Sequence, residues 1–166
     1  MKLLLDTTYL LPSIKVQVQG LPPTVLKDLL NNAQIEIYFS EISLFELAAK
    51  GMKLICSGEP LNVSDLRIGI DSLQYNPRVK SLPWSMHPFL LDLALKLRKI
   101  HSDFIDCLIL STAVFYADCL ATYDESLYDK ITKNSDLCKE IANGNKNFQF
   151  WFFDLKNPPH PLEPKN

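Results

Sequence analysis

The chain has 166 residues, 47% of them hydrophobic, and no low-complexity tract, which suits one α/β core and leaves too little for two comfortable domains. A net charge of -2 argues against a strongly basic nucleic-acid platform, while leaving room for a local basic rim around an acidic site. Cys56, Cys107, Cys119 and Cys138 form no CxxC pair and read as buried thiols of a reducing cytosol. His87, His101 and His160 are too scattered to complete a zinc site with them. Lys2 and three leucines make no signal peptide, and no segment approaches the roughly 18 apolar residues of a membrane span, so a cytoplasmic protein with no membrane partner is expected.

In chain order, residues 2–5 are a short apolar run ending in Asp6-Thr7-Thr8, as expected of a strand buried on both faces. Residues 9–18 alternate too irregularly for an assignment. Pro22-Pro23 opens a helix over 24–30, with apolar spacing at Val25, Leu26, Leu29 and Leu30. Residues 34–39 alternate and are β-rich, and Ser40 can cap the helix that follows, where Ile42, Phe45, Glu46 and Ala49 share a face. Gly51, Gly58 and Pro60 mark a frayed end or loop over 51–60.

A helix over 63–75, a short strand over 79–82 and a helix over 87–98 come next. Ser102 is a candidate cap for a helix over 103–117 that is apolar nearly all round, the composition of a central helix packed on a sheet. The chain continues with a strand over 119–123, helices over 124–131 and 135–142, and an aromatic strand over 148–153. Four prolines then suggest an extended tail. This alternation gives an α/β fold, a mostly parallel sheet with helices on both faces, whose ligands bind at the carboxyl ends of the strands.

Four acids are locally out of place. Asp6 closes the first apolar run, Glu46 lies on a largely apolar helix face, Asp106 opens the central helix and Asp124 ends the strand over 119–123. Singly, each aspartate has an ordinary reading: Asp6 and Asp124 as helix caps, Asp103 and Asp106 as first-turn charges that favour the helix dipole. Glu46 has only that of a surface side chain whose head reaches water. Together they would form a buried acidic cluster, which is costly unless protonated, paired or bound to a cation. Carboxylates with little else suit Mg²⁺ or Mn²⁺. Thr7 and Thr122 flank two of the acids and can hold a carboxylate or a metal-bound water, or serve as plain strand-end hydroxyls.

Leu3-Leu4-Leu5-Asp6-Thr7-Thr8-Tyr9, the run from Ser40 through Glu46 to Leu47, and above all the run from Asp106 to Thr122-Tyr123-Asp124 resemble the PIN-domain nucleases. The resemblance implies a PIN-like three-layer α/β/α sandwich over residues 1–155, with a proline-rich tail over 156–166. It also implies a metal-dependent endoribonuclease whose quartet Asp6, Glu46, Asp106 and Asp124 binds Mg²⁺ or Mn²⁺, with Asp103 as an accessory. RNA is then the substrate, a homodimer is expected, and a VapC-like toxin would be held by an antitoxin protein. Compared with compact VapC toxins the chain is longer over about 51–83 and carries the tail. A PIN-like scaffold that binds RNA or a protein partner without cutting is the alternative.

Lys50, Lys53, Arg98, Lys99 and His101 are candidates for RNA phosphate contacts at the cleft rim, or ordinary surface side chains. Trp84 and Trp151 can stack bases, pack in the core or lie in a dimer interface. Other enzymes fit poorly. Thr8 stands where a haloacid-dehalogenase-type phosphatase needs a second aspartate, and no Walker A or Gly-x-Gly-x-x-Gly sequence is present.

Overall fold

The structure, a computed structural model, describes residues 1–152, 155 and 157–164. Its frame is a sheet built from strands β1 (Lys2–Leu5), β2 (Glu36–Ser40), β3 (Val79–Leu82), β4 (Cys119–Thr122), β5 (Gln149–Phe152) and β6 (His160–Pro161), in the order β3-β2-β1-β4-β5-β6. The first five are parallel, and β6 runs antiparallel to β5.

Because strand side chains alternate between faces, each inner strand feeds two cores. Leu3, Leu5, Ile37, Phe39, Cys119 and Ala121 pack on one face, against α1 (Thr7–Leu10), a 3-10 turn (Leu11–Ile14), α2 (Val25–Leu30), α3 (Glu41–Cys56) and α4 (Val63–Gln74). Leu4, Tyr38, Leu120, Phe150 and Phe152 pack on the other, against α5 (Leu90–Leu97), α6 (Phe104–Tyr116), α7 (Glu125–Thr132) and α8 (Ser135–Gly144). The result is the expected three-layer α/β/α arrangement. No helix among the described residues is long and apolar enough to cross a membrane.

The strand order places a topological switch between β1 and β4. The chain leaves β1 toward β2 on one side, whereas β4 joins β1 on the other, so the loops after β1 and β4 diverge and leave a crevice at their carboxyl ends. Asp6 and Asp124 follow those two strands.

Several local expectations need correction. The helix after Ser40 does not fray over 51–60 but continues to Cys56. Gly51 is buried, and a Cβ there would lie 2.5 Å from a methyl of Leu66, so this glycine marks the close approach of α4 rather than a stop. The buried face of α3 is Ser43, Glu46, Leu47 and Gly51, while Phe45 is exposed. Residues 9–18, unassigned from sequence, contain the end of α1 and the 3-10 turn. Asp103 rather than Ser102 caps α6, accepting from the Ile105 N–H at 2.8 Å.

Cys56 is exposed, unlike the other three cysteines. Trp84 and Trp151 both pack against the cores. The tail is not simply extended, since His160 and Pro161 pair with Phe150 and Gln149 as β6. The last position of the expected strand over 148–153, residue 153, lies outside the described residues.

Gly69 of α4 tests the packing of the second layer. A Cβ on it would sit 2.5 Å from the Ser13 carbonyl oxygen and 2.6 Å from Ile14 Cγ2, so backbone must move to admit it. An exposed helical Gly→Ala exchange gains up to about 1 kcal/mol in propensity. Here overpacking wins, and Gly69→Ala should lower stability by roughly 1–3 kcal/mol, measured by urea denaturation.

Candidate metal centre

Each acid is delivered by a different element. Asp6 stands at the start of α1, yet its side chain makes no capping hydrogen bond, so capping does not explain it. Its N–H donates to the Ala121 carbonyl at 3.0 Å, which pins it where β1 and β4 part. The Thr122 hydroxyl lies 3.3 Å from Asp6 Oδ2 as donor and accepts the Asp124 N–H at 3.0 Å, joining the two strand ends. Asp124 does cap α7, with Oδ1 accepting from the Leu127 N–H at 2.8 Å, and its Oδ2 remains directed to the site.

Asp106 sits in the first turn of α6. Asp6, Asp106, Thr122 and Asp124 line one small cleft floored by Ile109, Leu120 and Leu127. Glu46 is not among the cleft-lining residues. It is buried beside them on α3, where it accepts a short hydrogen bond from the Thr7 hydroxyl and pairs with the Lys50 ammonium at 2.6 Å. Asp103 is engaged in capping α6.

Of the basic residues expected at the rim, Lys50 is half-exposed and joined to the site through Glu46. Arg98 donates to the His101 carbonyl at 3.3 Å, and Lys53 and Lys99 are exposed. His101 is no rim residue. It is buried in the connector between α5 and α6, with Nε2 at 3.0 Å from Asp106 Oδ2 and 3.5 Å from Asp124 Oδ2. Sequence reading missed this contact. The available signal was position: a connector residue five places before Asp106 can fold back over the first turn of α6.

The four acids therefore differ in electrostatic support. Glu46 has Lys50 and Thr7, and Asp106 and Asp124 share His101. Asp6 has the Thr122 hydroxyl and, among the described residues, no ion pair. Burial first, then repulsion from Asp106 and Glu46, raises the Asp6 pKa from 3.8 to about 7. Burial also raises Asp106, with the His101 hydrogen bond pulling the other way. Burial works against the Lys50 ammonium, but Glu46, Asp6 and Asp106 outweigh it, and its pKa rises. The Cys107 and Cys119 thiols are pushed up to about 12 by burial, which leaves them inert as nucleophiles.

This donor set fits a hard divalent ion. Its ligands are carboxylate oxygens from converging elements, and burial with repulsion from its neighbours raises the pKa of one of them, Asp6, to about 7. His101, Asp106 and Asp124 offer ligand atoms within 4.8 Å of one another.

The family model of the PIN domain matches residues 4–133 of the 166. The chain belongs to the PIN domain family. PIN domains are generally nucleases, hydrolases that typically use divalent metals and act on nucleic acid. The match spans β1 through α7, and so every element that supplies an acid to the cleft. No curated protein matches the chain.

The Asp6 environment sets a pH dependence for the metal-free PIN domain. The unfolded chain loses this proton near 3.8, whereas the folded chain keeps it to about 7, so over that window the folded state binds more protons. Stability should therefore fall as pH rises from about 4 to 7, by on the order of 1 kcal/mol per unit, and then level off. Denaturation in EDTA at a series of pH values should show this slope, and Asp6→Asn should reduce it, leaving the smaller part due to Asp106.

Proposed function

We propose that this PIN domain is a Mg²⁺- or Mn²⁺-dependent endoribonuclease whose quartet is Asp6, Glu46, Asp106 and Asp124. The observation that carries the reading is the convergence of Asp6, Asp106 and Asp124 on one cleft at the switch between β1 and β4, with Asp6 short of countercharge. Asp6, Asp106 and Asp124 would hold the ion, and Glu46 would complete the acidic field from α3. The ion supplies a water of lowered pKa and neutralises charge on a phosphodiester.

The chain's own residues set the frame for that chemistry. Thr122 fixes the Asp6 carboxylate relative to the Asp124 backbone, and Thr7 orients Glu46. Lys50, half-exposed at the edge of the acidic field, is placed to meet a backbone phosphate. No buried thiol competes as nucleophile.

RNA is the substrate of this reading, in the role of an RNA-processing nuclease or of a toxin held by an antitoxin protein, whose arginine among the carboxylates would occlude the cleft. A homodimer would use apolar surface such as Leu91 and Leu95, one turn apart and exposed on α5, with Met86 and Phe89 exposed just before it. Leu95→Glu should then yield a monomer by sedimentation velocity while leaving the fold intact.

The decisive test is cleavage of a mixed RNA pool in EDTA, Mg²⁺ or Mn²⁺. Asp6→Asn and Asp106→Asn should each lower the metal-dependent rate by at least about 100-fold, a loss of roughly 3 kcal/mol in transition-state stabilisation. Full activity in either variant would refute the site. A well-folded protein that binds no Mn²⁺ at millimolar concentration by calorimetry would instead be the non-cutting scaffold.

A further inference from the structure

His101 is the most deeply buried ionisable side chain that touches two members of the quartet. Its place is built rather than incidental. Its N–H donates to the Leu97 carbonyl at 2.9 Å, and its own carbonyl accepts from Arg98 at 3.3 Å, so the end of α5 fixes it on both sides of the Cα. The ring then reaches over the start of α6 to Asp106 and Asp124.

The two ring nitrogens have opposite surroundings. Nε2 faces two carboxylate oxygens, which accept but do not donate when ionised. Nδ1 is buried, with no hydrogen-bond partner among the described residues. A proton on Nδ1 would leave a buried donor unpaired and would turn the Nε2 lone pair toward two anions. A proton on Nε2 is donated to Asp106 Oδ2 with Asp124 Oδ2 alongside, and leaves at Nδ1 only an unused acceptor. The second arrangement has much the lower cost.

A histidine that ligates a metal through one nitrogen almost always donates the other N–H to a carboxylate, carbonyl or water. Among the described residues nothing at Nδ1 can accept that bond.

We infer that His101 is a positioning residue of the metal centre, an Nε2–H donor to Asp106 held beside Asp124, and not a ligand, although its nitrogen lies within ligand range of theirs. This rests on reading the acidic cluster as the metal site. The N–H occupies Asp106 Oδ2 and lies beside Asp124 Oδ2, between two carboxylates from different elements, the first turn of α6 and the loop after β4. With Asp124 Oδ1 spent on capping α7, the lone pairs left to an ion are few and fixed in direction. Keeping the imidazole out of the ligand set leaves an all-oxygen site suited to Mg²⁺ or Mn²⁺ over Zn²⁺.

Two measurements test the assignment. Long-range ¹H–¹⁵N NMR of the histidine rings reads the tautomer directly in the wild-type protein. The Nε2–H form is expected, both metal-free and with Mg²⁺ added, and an Nδ1–H form in either state would overturn the inference. Mn²⁺ titration by calorimetry then compares the wild type with His101→Leu and His101→Gln, each checked for a native circular dichroism spectrum.

His101→Leu should weaken Mn²⁺ binding about 10- to 100-fold, and His101→Gln, which restores an N–H donor, should recover most of that loss. Equal loss in both variants, or ¹⁴N coupling to bound Mn²⁺ in pulsed electron paramagnetic resonance of the wild type, would make His101 a ligand and refute the proposal. Asp106→Asn separates the two readings. If it binds Mn²⁺ as well as the wild type does, the metal-site reading fails, while the metal-free NMR spectrum still decides the His101 tautomer.

Discussion

The burial of carboxylates gathered beside the ends of β1 and β4, with the repulsion between them, is the constraint around which this protein is organised. Water would normally screen such a cluster, but here an apolar floor of Ile109, Leu120 and Leu127 lies directly beneath it. The fold answers with partial measures, each supplied by a different element: an ammonium from α3, an imidazole from the connector after α5, hydroxyls from the residues next to Asp6 and Asp124. They leave one acid, Asp6, without a full partner, and that residue lies where the two central strands part company.

The hydrophobic layers make this tension sustainable. Leu3, Leu4 and Leu5 are all fully buried, alternate between the two cores, and hold Asp6 in place through three consecutive packed side chains. α6 is similarly enclosed from Cys107 to Val114, which fixes the backbone that carries Asp106. Relieving the repulsion by motion would disrupt packing on both faces of the sheet. A bound cation would relieve it with the packing left as it is, which is how a close-packed core can serve a charged site.

Much of this was legible in the sequence because it depends on local pattern. The continuous apolar run before Asp6, the all-round apolar helix after Asp106 and the strand ending at Thr122-Tyr123-Asp124 all carry their burial in their own residues, and with it the α/β/α class. What escaped the sequence depends on distant neighbours. Gly51 looked like a helix stop because propensity is local, whereas its reason is Leu66 on another helix. His101 looked like a rim residue because the one local hint that the connector folds back over α6 is its position five places before Asp106. Glu46 is buried, but the face on which it lies was misplaced, since Phe45, its apolar neighbour, is turned outward.

The short strand β6 has a consequence for how copies of this molecule can meet. An unprotected edge of a sheet offers a row of free backbone donors and acceptors on which another chain can build. On the β5 side that row is overlaid by a two-residue strand in which Pro161 has no N–H to offer. Over Gln149 and Phe150 the sheet is therefore finished by a strand whose Pro161 cannot donate to a further one, so a second copy would find no complete ladder to extend there.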